Sequence, residues 1–252
     1  ARVLASLLRG SLVAESYVPS RELRDVRALV RHRAGLVRTC TIVKNRVHSL
    51  LDKYGLEHGF SDLFGKAGLE WLRKVDLNPL DRLVLDSHLE QIECLSKLMG
   101  KCEVEIVRRA SLDRDVRLLL SLTGVGVYSA LLVKSEIGDI KRFPSYKKLI
   151  SWAGLAPSLR QSGMVEYHGR ITRQGSRMLR WVLVECARAA VRYDPRMRGF
   201  YEGVRRRRGD GKAVVAVACK MLKIVWFMLS RGEPYESRDG RLYGDKLKRV
   251  CG

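Results

Sequence analysis

Acidic residues are in short supply in this chain. Against 48 Lys and Arg stand 27 Asp and Glu, a formal charge of +21 over 252 residues. Metal-dependent phosphoryl transfer needs three or four carboxylates converging on one or two divalent ions, and here the acids are scattered over helix faces. The best local pairs, Asp113 with Asp115 and Glu136 with Asp139, read as helix caps or salt-bridge partners. Metal-ligand spacing is missing as well: Cys40, Cys94, Cys102, Cys186, Cys219 and Cys251 form no C-x-x-C pair, and none of the five histidines stands at ligand spacing. No structural zinc and no metal site are expected, and the thiols read as reduced core residues of a cytoplasmic protein. There is no P-loop, no dinucleotide fingerprint and no G-x-S-x-G elbow. The longest apolar run, Val214 to Leu229, is too short to span a bilayer and carries Lys220 and Lys223, so no membrane partner is expected. The chain opens on Ala1 without a signal-type stretch, and the expectation is a fragment of something longer.

What is present is charge and helical periodicity. A pI near 10.1 implies a polyanionic partner, nucleic acid first among them. From Arg21 to Tyr54, apolar residues recur at Leu23, Val26, Val30, Val37, Val43, Val47, Leu50 and Leu51, with basic residues on the other face. Ser20 starts this helix and Gly55 ends it. Such a helix either lies along a phosphate backbone or presents a solvated face. A shorter helical patch covers Ser61 to Val75. After Asn78-Pro79 a second long helix keeps a four-three alternation at Leu85, Leu89, Ile92, Met99 and Ile106, interrupted by Ser96, Gly100 and Glu103. This is an imperfect coiled coil, folded on an adjacent helix or paired with a second subunit.

Composition shifts at Ser111 to Asp115, which divides the chain into a long-helix region at 1–110, a compact helical domain at 111–235 and a polar tail at 236–252. The fold class expected is mainly α. In the second region a short apolar helix leads into Gly124-Val125-Gly126, and another helix runs from about Tyr128 to Gly138. The spacing matches a helix-hairpin-helix, whose glycines let amides at the second helix's N-terminus face a phosphate, or a simple helix-helix turn. Lys134, Lys141 and Arg142 favour the former. Gly154 to Arg170 is irregular or a short β-hairpin. A helix follows with Met178, Leu179, Val182, Leu183 and Cys186 inward, then a basic segment at Met197 to Lys212 and the apolar helix at Val214 to Leu229.

One stretch carries candidate chemistry. Ser162 lies between Gln161 and Gly163, with Arg160 before it and Arg170, Arg173, Arg177 and Arg180 after it. A serine hydroxyl among cations can attack phosphorus and hold DNA as a phosphoserine, with the cations stabilising charge on the pentavalent phosphorus. Ser158 is the rival nucleophile, and a phosphate-binding loop is the plainer interpretation.

The ordered series G-V-G, R-F-x-S, G-L-A-P, Q-S-G, G-x-I-T-R-x-G and L-R, between Leu122 and Ala187, resembles the C-terminal domain of the insertion-sequence one-ten family, the DEDD-type or bridge-RNA-guided transposases. The upstream helices, including Tyr17 to Ser20, are similar to that family's middle region. The resemblance implies a DNA recombinase with an N-terminal RuvC-like domain whose four acids bind magnesium and a C-terminal domain supplying a serine, here Ser162. It also implies DNA partners at element ends and target, a structured guide RNA and subunit pairing through a coiled coil. The family's last acid lies directly before a helix resembling the one that starts at Ala1, so this polypeptide alone is expected to bind nucleic acid and not to cut DNA. The alternative is a non-catalytic helix-hairpin-helix binding module.

Overall fold

A computed structural model of the chain describes residues 2–12, 17–162, 165–235 and 240–251; the side chains of 159–162, 165–168 and 251 lie outside that description. The fold is mainly α, with 76% helix. The one sheet among the described residues is a two-stranded hairpin.

The first half contains α1 (Arg2–Arg9), α2 (Arg21–Lys53), α3 (Lys66–Lys74) and α4 (Pro79–Leu112). Ser20 Oγ accepts from the Leu23 amide to open α2, and the Asn78 side chain accepts from Asp81 N with Pro79 in the first helical position of α4. Arg33 pairs with Glu103 and Lys53 with Asp81, both at 2.7 Å. As one sequence number rises the other falls, so α2 and α4 run antiparallel. The seam of α4 therefore folds on α2 of the same chain. Leu85 and Ile92 are buried with Cys40, Val43, Val47 and Leu51, and with Leu63 and Leu72 from the intervening segment. This small core defines an arm. Cys94, two residues beyond Ile92, turns to the opposite face and is exposed, so it is not a core thiol.

Toward residue 110 the arm joins a second, larger core. Val30 of α2 and Ile106 and Ala110 of α4 pack with the remaining elements. These are α5 (Arg114–Leu119), α6 (Val127–Ile137), a 3-10 turn at Ile140–Arg142, α7 (Tyr146–Trp152), β1 (Pro157–Ser162), β2 (Val165–Ile171), α8 (Arg177–Tyr193), α9 (Pro195–Arg208), α10 (Asp210–Arg231) and α11 (Gly240–Cys251). The joint is also ionic. Arg31 of α2 reaches buried Glu136 of α6 with Nε at 2.9 Å and Nη2 at 3.0 Å, while Arg27 donates to the Ser135 carbonyl. A carboxylate at 3% side-chain exposure demands such a partner.

The centre of this body is α10, which buries nine residues from Ala213 to Leu229 and packs against α7, α8 and α9. It is the one described helix long and apolar enough to cross a membrane, and its burial accounts for that composition. The polar composition of the last residues conceals α11. Val250 is buried, Tyr243 and Leu247 pack on the core, and Lys246 Nζ donates to Leu120 O at 3.1 Å. The spacing 243, 247, 250 is one helix face.

Candidate nucleic-acid interface

Two glycine turns build the base of the β-hairpin. Gly154 follows α7 at φ +70°, and a Cβ there would stand 1.9 Å from the Gln174 carbonyl oxygen; Gly175, at φ +79°, would place one 2.0 Å from the Trp152 carbonyl oxygen. The turns are pressed backbone to backbone, which only glycine permits. Arg173 N donates to Gly154 O at 3.1 Å and Thr172 N to Ala156 O at 2.9 Å, closing the base. Arg180 Nη1 then donates to the carbonyls of Ala153, Gln174 and Gly175 at 3.1, 2.8 and 3.2 Å. Burial first, and then the neighbouring charges of Arg173 and Arg177, hold the Arg180 pKa below its ordinary value. Arg180 thus fastens the hairpin to α8.

β1 and β2 are antiparallel, with Pro157 opposite Ile171 and Ser162 opposite Val165. Ser158 sits at the base, its hydroxyl against Gly169, where a Cβ would come within 2.3 Å of it. Ser162 ends β1 about 13 Å farther along the strand, at the far end from the base. Its side chain, the side chain of Arg160 and the whole of Gly163 lie outside the described residues.

Around the base, Arg170, Arg173 and Arg177 are exposed, and their side chains make no hydrogen bond or ion pair among the described residues. Arg173 holds φ +56°, a left-handed conformation uncommon for a side-chain-bearing residue. Ser176 caps α8 by accepting from Leu179 N at 3.1 Å. The positive end of the 17-residue helix and these arginines therefore point the same sign of charge at the base of the hairpin. Chemically, this is a place for an anion.

Arg142 also lies near this end, because Trp152 carries the carbonyl that meets Gly175. Its guanidinium is stacked among Tyr17, Phe143 and Trp152 at 4.2, 4.3 and 4.5 Å, and its Nε donates to Ile137 O. Burial pulls its pKa down. Lys141, beside it, is exposed.

The Gly124-Val125-Gly126 turn is elsewhere. Gly124, at φ +87°, packs on the backbone of α8 at Cys186 and Ala190, where a Cβ would meet Cys186 O at 2.4 Å. That contact lies some 9 residues down α8 from Arg177, about 14 Å along the axis. Gly126 is exposed and opens α6. Val125 is buried. The turn lines a cavity of about 330 Å³ with Tyr193 and with Leu242, Tyr243 and Lys246 of α11. Burial lowers the Lys246 pKa. The structure thus divides the sequence-predicted residues into two groups, one at each end of α8.

The local acid pairs are occupied. Asp113 accepts from the amides of Asp115 and Val116, Asp115 pairs with Lys134, Glu136 holds Arg31, and Asp139 accepts from Lys141 N. Among the described residues no group of three or more His, Cys, Asp or Glu is arranged to hold a metal ion.

Periodicity reasoning missed the reciprocal contact of Gly154 and Gly175, the stacking of Tyr17 on Arg142, and Trp181, which stands 46% exposed on α8. The outward spacing of Arg177, Trp181 and Arg188 was the available signal for the last.

The sequence matches those of known transposases. The model of the transposase IS116/IS110/IS902 family matches residues 116–202, the body that carries the glycine turns and the hairpin, and a second transposase model, of the DEDD IS110 type, matches residues 1–56. The chain is 31% identical over 221 residues to the transposase for insertion sequence element IS1111A of Coxiella burnetii, covering 85% of this chain and 61% of that protein. To a probable family 20 transposase of Pseudomonas aeruginosa it is 30% identical over 233 residues, covering 87% and 68%. To the transposase for insertion sequence element IS1328 of Yersinia enterocolitica it is 28% identical, covering 81% and 63%. The chain thus spans about three fifths of the length of the Coxiella relative. Since both matched segments and the Pseudomonas alignment run through the arm and the body alike, the chain belongs to the IS116/IS110/IS902 transposase family.

Proposed function

We propose that this chain is the part of a DNA transposase that grips nucleic acid and supplies Ser162 as the nucleophile for strand exchange. The observation that carries the proposal is the hairpin base. Interlocked glycine turns and Arg180 fix it rigidly, β1 carries Ser162 away from it, and Arg173 and Arg177 stand exposed beside it. In the reaction, Ser162 Oγ forms a bond to a phosphodiester phosphorus and a sugar oxygen leaves, taking up a proton as the serine gives one up. Attack by another strand's sugar hydroxyl then breaks the Oγ–P bond and restores the serine. Charge that builds on the non-bridging oxygens needs cations close to Ser162, for which Arg160 on the same strand is the candidate, while Arg173 and Arg177 at the base hold neighbouring backbone phosphates. Ser158, packed on Gly169 at the base, is the weaker candidate.

A DEDD-type family implies a divalent metal, and the described residues do not fit one, since each local carboxylate pair among them already caps a helix or holds a cation. The polypeptide by itself is therefore proposed to bind without cutting. Its partners are element-end and target DNA and a structured guide RNA, whose pairing reads sequence while the basic surfaces hold backbone. Self-association through α4 fits the exposure of Leu80, Leu83, Val84 and Leu98 outside the α2 seam.

The test is a covalent protein–DNA adduct on a denaturing gel, with end-labelled element DNA, guide RNA, magnesium, and the longer protein carrying the acids. The expected result is an adduct that vanishes in Ser162→Ala and persists in Ser158→Ala, with DNA affinity unchanged within about twofold in both. Tight binding without an adduct under every combination would leave the non-catalytic helix-hairpin-helix module as the function.

A further inference from the structure

The outward face of α8 carries a feature that the hairpin site does not use. Trp181 is 46% exposed, although tryptophan usually buries most of its large apolar surface. Its neighbours on the helix surface are Arg177 one turn before and Glu185 one turn after, with Arg188 and Arg192 completing the stripe at i+7 and i+11. All four are exposed, and the arginines' side chains make no hydrogen bond or ion pair among the described residues. The ring itself stacks on no aromatic neighbour or cation there. In contrast, Phe200, Tyr146 and Phe227 are each capped by a cation, from Lys220, Lys223 and Arg231.

An exposed indole flanked by three unneutralised guanidiniums has the chemistry of a single-strand track. The arginines attract backbone phosphates, and a base with no pairing partner stacks on the indole, an interaction open to every base because each has a π-face. Duplex bases are stacked on one another and offer no face. A docking protein is a poor occupant, since it must bury three like charges against one acid on this stripe.

We propose that the outer face of α8 binds single-stranded DNA, with Trp181 as the stacking platform and Arg177, Arg188 and Arg192 as phosphate contacts. This rests on the DNA-handling function proposed above and names its substrate form: a strand that has left its duplex, running from the α8 N-terminus beside the hairpin. Trp181 is a binding residue and has no part in the serine chemistry.

The experiment uses the full chain carrying Ser162→Ala, so that its outcome is independent of whether Ser162 is the nucleophile. Fluorescence anisotropy compares a labelled single-stranded oligodeoxynucleotide, the same sequence as duplex, and the corresponding oligoribonucleotide. Trp181→Ala is expected to weaken single-stranded DNA binding about tenfold while leaving duplex binding within about twofold, and Trp181→Phe to retain most of the affinity. Thermal melting checks that both variants fold, as substitution of an exposed ring predicts. Photocrosslinking of 5-iododeoxyuridine in the single strand should attach to the α8 peptide that contains Trp181. The proposal is overturned if the chain does not bind single-stranded DNA, if Trp181→Ala changes single-strand and duplex affinity equally or neither, or if the tryptophan-dependent binding is confined to RNA.

Discussion

The arm and the C-terminal body are both rich in arginine and lysine, but they use them differently. Residues 1–112 hold 19 basic and 14 acidic residues, whereas 113–252 hold 29 basic and 13 acidic ones. In the arm several cations are held by acids, Arg33 by Glu103, Lys53 by Asp81, Arg82 by Asp86, Lys97 by Glu93 and Arg109 by Glu105, while Arg24, Arg38 and Arg46 of α2 stand exposed without one among the described residues. In the body, Arg170, Arg173, Arg177, Arg188 and Arg192 stand exposed and without a described acid partner. Net charge, 19 less 14 or +5 in the arm against 29 less 13 or +16 in the body, favours the body for nucleic-acid contact. The unpaired arginines gathered at the hairpin base and along α8 support the interface proposed there, because a cation already held by a carboxylate gains little when a phosphate arrives.

Glycine substitutions should separate the two regions most sharply. Gly154→Ala forces a Cβ into the Gln174 backbone from a positive φ, and is expected to cost about 3 kcal/mol or more. Gly100→Ala in α4 has nothing within 4 Å and should be stabilising by about 0.5–1 kcal/mol. Urea denaturation of both variants measures the contrast, and equal effects would mean that the hairpin base is not rigid.

Ion pairs give the next largest difference. Arg31→Met leaves the buried Glu136 carboxylate at the joint with only Arg27, at 4.0 Å, and should cost about 3 kcal/mol. Lys97→Met removes an exposed pair with Glu93 and should lie within about 0.5 kcal/mol of the parent.

The pH limits of the two regions should also lie on opposite sides. Hydrogen bonds from Lys53 and then Tyr54 hold the Asp81 carboxyl below its ordinary value. That contribution is present above the unfolded pKa of about 3.9 and is lost as pH falls through the folded value, so the arm should loosen in acid. In the body, burial pushes the Cys219 thiol up to about 11. Its contribution is complete below the unfolded thiol pKa and is lost as pH rises toward 11, so the body should weaken in alkali. Hydrogen exchange across pH, read separately for peptides of the arm and of the body, measures both limits. At neutral pH exposed Cys94 should alkylate first, and buried Cys40 and Cys186 only after unfolding.

Much of this was legible in the sequence. Periodicity and caps located α2 and α4, because a one-sided apolar stripe and Ser20 or Asn78 are local signals. The glycines marked the turns at 124–126 and 154, since left-handed backbone is written in residue type. Partnership was not legible. That Arg180 serves three carbonyls, that Arg142 is stacked among three rings, and that α11 docks through Lys246 depend on contacts that reach as far as 126 residues along the chain. Equal-looking arginines in one motif therefore divide into those that hold the protein together and those available to a ligand.

The most direct measurement is the salt dependence of binding to element-end DNA. For the double variant Arg173→Gln/Arg177→Gln, the slope of log K against log salt should shrink by about one for each arginine removed, while Arg33→Gln/Lys53→Gln should leave it unchanged. A slope that falls with the arm variant and not with the body variant would contradict the assignment of the nucleic-acid interface to the hairpin base and α8.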